Sequence, residues 1–419
     1  MDKRIKVLVI ADHPLAPSGV GTQTRYICES LLESDRFDIV CLGGAVKHTE
    51  YKPQIVEGWG QRWKVFPVDG YGSPDMVRSI IRTEKPDILW FMTDPRFFEW
   101  LWGMENEIRP LIPMVYYHVW DNYPAPMFNR SYYLSNDMIV TISKVTDNIV
   151  KEVAPEVESI YLPHAVNSDI FKPLSEQVIQ DFKNEHMKEM KGKFIFFWNN
   201  RNARRKQSGS VLWWFNDFLN KVGRDKATLI MHTDPKDPNG QDLHAIINRL
   251  DMSNGQAYIS SQKIPPDHLS LLYNAADCTI NIADAEGFGL ATLESLSCGT
   301  PVVVNMTGGL QEQITDGKEF FGIPIFPSSK AIIGSQGVPY ICEDRISGEQ
   351  FTSALEKIYN LPSSQRREMG LNGRKHVINN YGFPEYRKKW VEIMTNIHEN
   401  QGSWDTRRNY NSVRFGEIK

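Results

Sequence analysis

Cysteine is scarce in this chain of 419 residues: there are five, at positions 28, 41, 278, 298 and 342. They form no Cys-x-x-Cys pair and no metal-ligand spacing. An odd count among mostly apolar neighbours argues against a disulfide framework and fits reduced thiols in a cytoplasmic protein. The sequence has no run of 18 apolar residues, so no membrane span is expected. It has no strong charge either: 47 Lys+Arg against 51 Asp+Glu leave a net −4. That argues against a protein that binds polyanions over its whole surface, while leaving room for a local basic groove. The first apolar run covers only residues 7–11, too short for a secretory leader and suited to a first strand. Short-period repeats and low-complexity tracts are absent. What remains is globular material, with 41% hydrophobic and 11% aromatic residues, enough to fill the cores of two domains.

Apolar, β-branched runs alternate with helix-like stretches. Residues 5–11, 37–42, 87–92, 113–117 and 138–142 read as strands, with a helix at about 22–33. The pattern restarts at 194–198 and continues at 228–231, 256–259, 279–283 and 301–305. This alternation predicts an α/β protein of two halves, each a parallel sheet covered on both faces. The seam falls near 163–190, where Leu162-Pro-His-Ala-Val-Asn-Ser-Asp-Ile-Phe-Lys-Pro173 is bracketed by prolines and reads as a fixed linker. A charged helix follows to about 191, an amphipathic helix covers 383–394, and 401–419 read as a polar, slightly basic tail, ordered weakly or only on assembly.

The most informative segment is Glu286-Gly-Phe-Gly-Leu-Ala-Thr-Leu-Glu294. It follows a strand, turns on a Gly-x-Gly and opens a helix, which leaves helix-start N–H groups able to face an anionic or polyhydroxyl ligand. Glu286 would sit on the turn and Glu294 in the helix, so both reach one pocket without sharing a helical face. Upstream, the strand at 194–198 runs into Asn199-Asn-Arg-Asn-Ala-Arg-Arg-Lys206, a basic loop. Pro17-Ser-Gly19-Val-Gly21-Thr22 follows the first strand, and the Gly-x-Gly lets backbone approach a ligand closely. His118 and Asp121 stand just past a strand end, where ligands collect in open α/β sheets. Thr233-Asp-Pro-Lys-Asp-Pro238 superficially suggests an acidic metal loop, but its prolines read better as a tight surface loop.

The Glu286 to Glu294 string resembles the Glu-x7-Glu signature of retaining glycosyltransferases with the GT-B fold, the large group 1 superfamily that includes glycogen synthase and mannosyltransferases. The linker at 162–173 is similar to that superfamily's hinge, with Ala165 and Asn167 in place of a glycine and an aspartate. The resemblance implies two Rossmann-like domains with parallel sheets facing a central cleft. Residues 1–165 would hold the acceptor and 166–383 the nucleotide sugar, with a helix at about 384–400 packing back on the first domain.

The resemblance also assigns roles. Arg201 and Lys206 would contact the donor's diphosphate, where a leaving nucleoside diphosphate needs fixed cations. Asn200 and Gln207 stand where glycines are usual, and Arg204 and Arg205 read as spare solvated charges. Glu286 would hold hydroxyls of the transferred sugar and Glu294 the ribose hydroxyls, with main-chain amides of Phe288, Gly289 and Leu290 as further donors. Gly19, Gly21 and Ser143 would line the donor side, His118 would touch the sugar, and Asp121 and Trp120 would meet the acceptor. Thr307-Gly-Gly309-Leu-Gln-Glu312 is a further matching loop, expected near the phosphates. No metal and no cofactor are implied beyond the donor, and the expected chemistry is front-face transfer in which the leaving diphosphate helps deprotonate the acceptor.

The acceptor expectation is a glycan or a lipid-linked saccharide. A hydroxylated DNA base is the second candidate, because Arg96, Arg109 and Arg130 lie among the 13 aromatics of residues 90–133. Two further readings stay open on the same fold. One is a non-catalytic saccharide- or nucleic-acid-binding module; the other is a sugar-nucleotide epimerase, a class that lacks this glutamate string.

Overall fold

The computed structural model describes residues 3–410, so the end of the expected tail, from 411, lies outside the described residues. The chain forms two compact units. One is built from the chain up to His164, from Gln336–Pro339 and from Pro384 onward; the other from Ala165–Ser335 and Tyr340–Phe383.

The first unit carries an eight-stranded sheet of β1 (Ile5–Asp12), β2 (Phe37–Gly44), β3 (Gln54–Ile55), β4 (Trp63–Pro67), β5 (Ile88–Thr93), β6 (Met114–His118), β7 (Met138–Thr141) and β8 (Ser159–Tyr161). Their order is β3-β4-β2-β1-β5-β6-β7-β8. Every neighbour is parallel except the two-residue β3, which pairs antiparallel with β4. Central strands such as β5 are buried along their whole length, which is why they read as continuous apolar runs. The strands that the sequence did not announce are edge-ward: β4 alternates buried and half-buried positions, and β8 has only three half-buried residues.

The helix Phe383–Gln401 returns to this unit. Its Trp390 has no exposed surface and meets Trp90 and Tyr117 edge-on at ring distances of 5.9 and 4.9 Å. Aromatic pairs of this geometry contribute about 0.5–1.5 kcal/mol each beyond area burial.

The expected weakly ordered tail is corrected for residues 401–410. The Trp404 indole donates to the Pro86 carbonyl at 2.9 Å, and Ser403 Oγ donates to Asp87 at 2.8 Å. The Arg407 guanidinium, 4% exposed, donates to Asp137 at 2.7 Å and to the Arg109 carbonyl at 2.7 Å. The basic residues that suggested solvation are instead the anchors, because a buried carboxylate and free carbonyls wait for them.

The second unit carries a parallel sheet of β9 (Phe194–Asn199), β10 (Ala227–His232), β11 (Ala257–Ser260), β12 (Cys278–Asn281), β13 (Val302–Asn305) and β14 (Gly322–Ile325). The order is β11-β10-β9-β12-β13-β14. A separate hairpin, β15 (Ser329–Ser335) with β16 (Val338–Arg345), was not foreseen, because only scattered positions along it are buried. Phe196, Trp198, Phe215 and Phe218, all without exposed surface, sit in the core on one face of this sheet. The linker is strapped to this unit by Ser297 Oγ and Arg374 donating to the Phe171 carbonyl, and by Asn274, which donates to the Lys172 carbonyl and accepts from Leu174 N.

Strand order locates the ligand edge of the sheet. From β9 the chain moves outward to β10 and β11, then crosses back to place β12 on the other side of β9. The crevice beyond the carboxyl ends of β9 and β12 is therefore the topological switch point, where ligands bind in open α/β sheets. The loop after β9 carries the basic segment, and the loop after β12 carries Glu286.

Candidate functional site

The two loops meet through charge. Lys206 Nζ donates to Glu286 Oε2 in an ion pair whose side chains are only 10% and 9% exposed. Burial works to raise the Glu286 pKa, but Lys206 and then Arg205 overcome it and hold the carboxyl below its ordinary value. Arg205 also donates to the Ala285 carbonyl, and its own carbonyl accepts from Asp284 N at 2.8 Å. Arg205 is thus not the spare solvated charge expected of it; it pins the two loops together.

Arg204 is likewise engaged, donating through both terminal nitrogens to Glu343, which also accepts from Arg345 at 2.8 Å. Glu343 comes from β16, so the unforeseen hairpin holds the basic loop. Asp344, beside it, donates its N–H to the Asp284 carbonyl and accepts from Thr307 Oγ1, both at 2.8 Å.

Gln207 occupies the left-handed region, with φ +59°, the conformation that a glycine would take without strain. Its side chain offsets that cost by donating to Asp284 and accepting from Ser210 Oγ at 2.6 Å. Asp284 is 2% exposed, and burial together with Glu343 pushes its pKa up to about 6, against the Gln207 bond. Arg201 stands apart at the rim: it donates to both Asp237 oxygens, at 2.6 and 3.2 Å, and holds that carboxyl down to about 2. The loop at 233–238 therefore is a surface loop with a purpose, since its Asp237 fixes Arg201. Asn202, fully buried, completes the junction by bonding Gln241 and Ser208; its small polar side chain gave no signal in the sequence.

Glu294 lies in the helix Leu290–Ser297, whose N-cap is Gly289 at φ +95°. Its Oε2 accepts from Tyr273 Oη at 2.7 Å. Glu294 keeps partial exposure, while the dense protein around its carboxyl pushes the pKa up to about 7 against that bond. As first-turn groups, the amides of Gly289 and Leu290 have no intrahelical acceptor. The Phe288 ring packs edge-on against Tyr381 at 5.7 Å, and its carbonyl accepts from Gln313 at 2.7 Å. Gly309 N donates to the Glu286 carbonyl at 3.0 Å, and a Cβ on Gly309 would stand 2.6 Å from Phe288 Cα. The Thr307–Glu312 loop thus packs backbone to backbone on the glutamate loop. So the second unit brings Lys206, Glu286, Phe288, Gly289, Leu290 and Glu294 onto adjoining loops and one helix.

The first-unit candidates fare differently. Gly19 is exposed in the first turn of the helix Gly19–Glu33, capped by Ser18. Gly21 is a packing glycine, since a Cβ there would lie 2.7 Å from the Ala16 carbonyl. His118 has no exposed surface, and its two ring nitrogens bond the hydroxyls of Tyr116 at 3.1 Å and Tyr133 at 2.6 Å. Burial lowers its pKa to about 3, so the ring is neutral. Ser143, also without exposed surface, caps the helix Lys144–Val153. In the structure both side chains are engaged within the frame beneath the strand ends. Trp120 is 5% exposed and donates to the Asn122 carbonyl at 2.9 Å, whereas Asp121 keeps partial exposure.

Missed by sequence reasoning was Asp12 at the end of β1, which accepts from Ser18 Oγ at 2.7 Å and Tyr71 Oη at 2.9 Å. It lies at this sheet's own switch point, between β1 and β5. Eight of the 13 aromatics of 90–133 are core residues, and Arg96, Arg109 and Arg130 pair with Asp94, with Glu105 and Asp137, and with Glu156. Of these only Arg109, 14% exposed, is held deeply, whereas Arg96 and Arg130 form exposed surface pairs.

Comparison with known proteins bears on this site. Residues 236–376 match the family described as glycosyl transferases group 1. A D-inositol 3-phosphate glycosyltransferase of Acidothermus cellulolyticus is 44% identical over 68 residues, 16% of this chain and 15% of that protein. The chain thus aligns with only a small part of the length of such curated relatives. An alpha-monoglucosyldiacylglycerol synthase of Streptococcus pneumoniae is 26% identical over 187 residues, 43% of this chain and 40% of that protein. Among solved structures, sucrose-phosphate synthase from Thermosynechococcus elongatus superposes with a TM-score of 0.74 at 13% identity, covering 94% of this chain and 100% of that one. Anabaena HepE in complex with UDP and glucose gives 0.69 at 15% identity, covering 94% and 100%.

Proposed function

Because residues 236–376 belong to the glycosyl transferases group 1 family and the chain has the GT-B fold, we propose that this protein is a retaining glycosyltransferase. It moves a sugar from a nucleotide-diphosphate sugar to a hydroxyl acceptor. The observation that carries the reading is the buried Lys206–Glu286 pair at the β9/β12 switch point, because it offers a cation and a carboxylate side by side. As the bond from the anomeric carbon to the β-phosphate oxygen breaks, negative charge develops on the diphosphate, and a fixed cation in a partly dry site stabilises it. In this reading Lys206 takes that role, and Arg201, bonded to Asp237 at the rim, adds a second cation. Glu286, kept ionised by Lys206 and Arg205, accepts from hydroxyls of the transferred sugar. Glu294 accepts from the ribose, and the first amides of its helix face the donor.

The acceptor in this reading is a polyol, a glycan or a lipid-linked saccharide. The names of the two relatives, one acting on an inositol phosphate and one making a glycosyl lipid, support that class. UDP is the first nucleotide to try, since HepE was solved with it.

The test is release of nucleoside diphosphate across a panel of UDP-, GDP- and ADP-sugars. Release from one donor, abolished in Glu294→Ala, is the expected result. No release from any donor, with no nucleotide raising the melting temperature, would overturn the proposal.

A further inference from the structure

Tyr273 lies in the helix Pro266–Ala275, 21 positions before Glu294. Its ring has no exposed surface and is wedged edge-on between Phe197 of β9 at 5.1 Å and Phe171 of the linker at 6.0 Å. Its backbone carbonyl accepts from Thr300 Oγ1 at 2.7 Å. A side chain so confined has one place for its hydroxyl. That hydroxyl donates to Glu294 Oε2 at 2.7 Å and accepts from the Asn199 side-chain amide at 2.8 Å. Asn199 is the last residue of β9, where the basic loop begins. A three-residue chain therefore runs from the root of the basic loop to the helical carboxylate.

We propose that Tyr273 is a positioning residue: by donating to Oε2 it fixes the Glu294 carboxylate and leaves Oε1 directed at the hydroxyls of a nucleotide's ribose. The inference rests on the donor-site reading for its ligand, whereas its action on Glu294 does not. A phenol donating to a carboxylate favours the ionised form, and only the ionised form offers acceptors on both oxygens. Among the described residues the Cys298 thiol also faces Glu294, and burial pushes it up to about 12, so it is neutral. Arg374 reaches the same helix end but spends its Nη1 on the Ser297 and Phe171 carbonyls.

Tyr273→Phe keeps the wedged ring and removes only the donor. The first measurement is the ionisation of Glu294 in the ligand-free protein, followed by carbon-13 signals of labelled glutamate and assigned with Glu294→Gln. In Tyr273→Phe the midpoint should rise by about one pH unit, the tenfold change that corresponds to losing one hydrogen bond to a charged group. An unmoved midpoint overturns the proposal. The second is UDP affinity against pH by calorimetry. Wild type should bind more tightly as pH rises through the Glu294 midpoint, and Tyr273→Phe should follow the same curve displaced upward, with about tenfold weaker binding near pH 7. A displaced midpoint with no binding of UDP, GDP or ADP would leave the Tyr273–Glu294 relay standing and overturn the donor-site reading, and with it the ligand assigned here. Equal UDP affinity in both proteins at every pH would overturn the positioning role outright. Tyr273→Leu, which loses the ring, serves as the packing control: a midpoint shift appearing there and not in Tyr273→Phe would assign Tyr273 to packing alone.

Discussion

Replacing Lys206 by methionine removes the cation facing Glu286 while keeping most of the side-chain volume. The pair is deeply placed, with side chains 10% and 9% exposed. Removing one member of a buried pair leaves the other charge uncompensated and costs about 3–5 kcal/mol. Arg205 still faces Glu286, which puts the expectation at the lower end, about 3 kcal/mol at pH 8. The pH dependence identifies the cause. In the wild type, Lys206 and Arg205 hold the Glu286 carboxyl below its ordinary value of 4.5. The stabilisation is therefore full above 4.5 and falls away as pH drops through the lower folded value. In Lys206→Met burial prevails, the carboxyl rises, and a penalty builds as pH climbs past 4.5. The difference between the two proteins should thus be small near pH 4 and grow to its full size by pH 8. Denaturant unfolding at both pH values measures it, and Lys206→Met/Glu286→Gln should recover most of the loss. A deficit independent of pH, or a double variant no more stable than the single one, would refute the reasoning. Nucleotide-sugar turnover by Lys206→Met should fall by about 10²–10³-fold if Lys206 also stabilises the leaving diphosphate.

Glu294 and Asp284 act in the opposite direction: with folded pKa values near 7 and 6, their ionisation opposes folding as pH rises from about 4 to 7. Glu294→Gln should therefore melt higher than wild type at pH 8 and nearly equal to it at pH 4, even as it weakens nucleotide binding. Gly309→Ala places a Cβ 2.6 Å from Phe288 Cα and 2.7 Å from the Gly287 carbonyl; since backbone must move, nucleotide affinity should drop at least tenfold and the melting temperature should fall. Arg407→Ala removes a guanidinium bonded to Asp137 and to the carbonyls of Arg109, Gln401 and Arg408 and should cost about 2–3 kcal/mol in the first unit. Arg407→Lys should recover only part, because one ammonium cannot span those acceptors.

Burial explains what the sequence disclosed. β1, β5, β9 and β13 are buried over most of their length, so each reads as an apolar run, interrupted in β1 by the half-buried Lys6, and was placed to within a residue or two. The glutamate string was legible because glycine, carboxylate and helix signals coincide over nine positions. What stayed hidden depends on partners far away in the chain. Arg204 and Arg205 look like solvated charges until Glu343 and the Ala285 carbonyl are brought to them by the fold. Gln207 looked like a departure from a glycine, and only the bonds to Asp284 and Ser210 explain how a bulky residue keeps the left-handed turn. Tyr273 is one apolar-face residue among many in its helix, and its hydroxyl acquires meaning only when Glu294 lies 2.7 Å away. His118 had the right place along the strand, but two tyrosines occupy both of its nitrogens.

The return of the helix Phe383–Gln401 to the first unit has a consequence for synthesis. A domain at the N-terminus ordinarily finishes folding first as the chain emerges from the ribosome. Here the first unit lacks Trp390 between Trp90 and Tyr117, and lacks Arg407 on Asp137, until synthesis has passed the entire second unit. The second unit, complete at Phe383, can close while the first still has an open aromatic core. A premature stop just past Phe383 would thus leave the later-made unit whole and the earlier-made one unfinished.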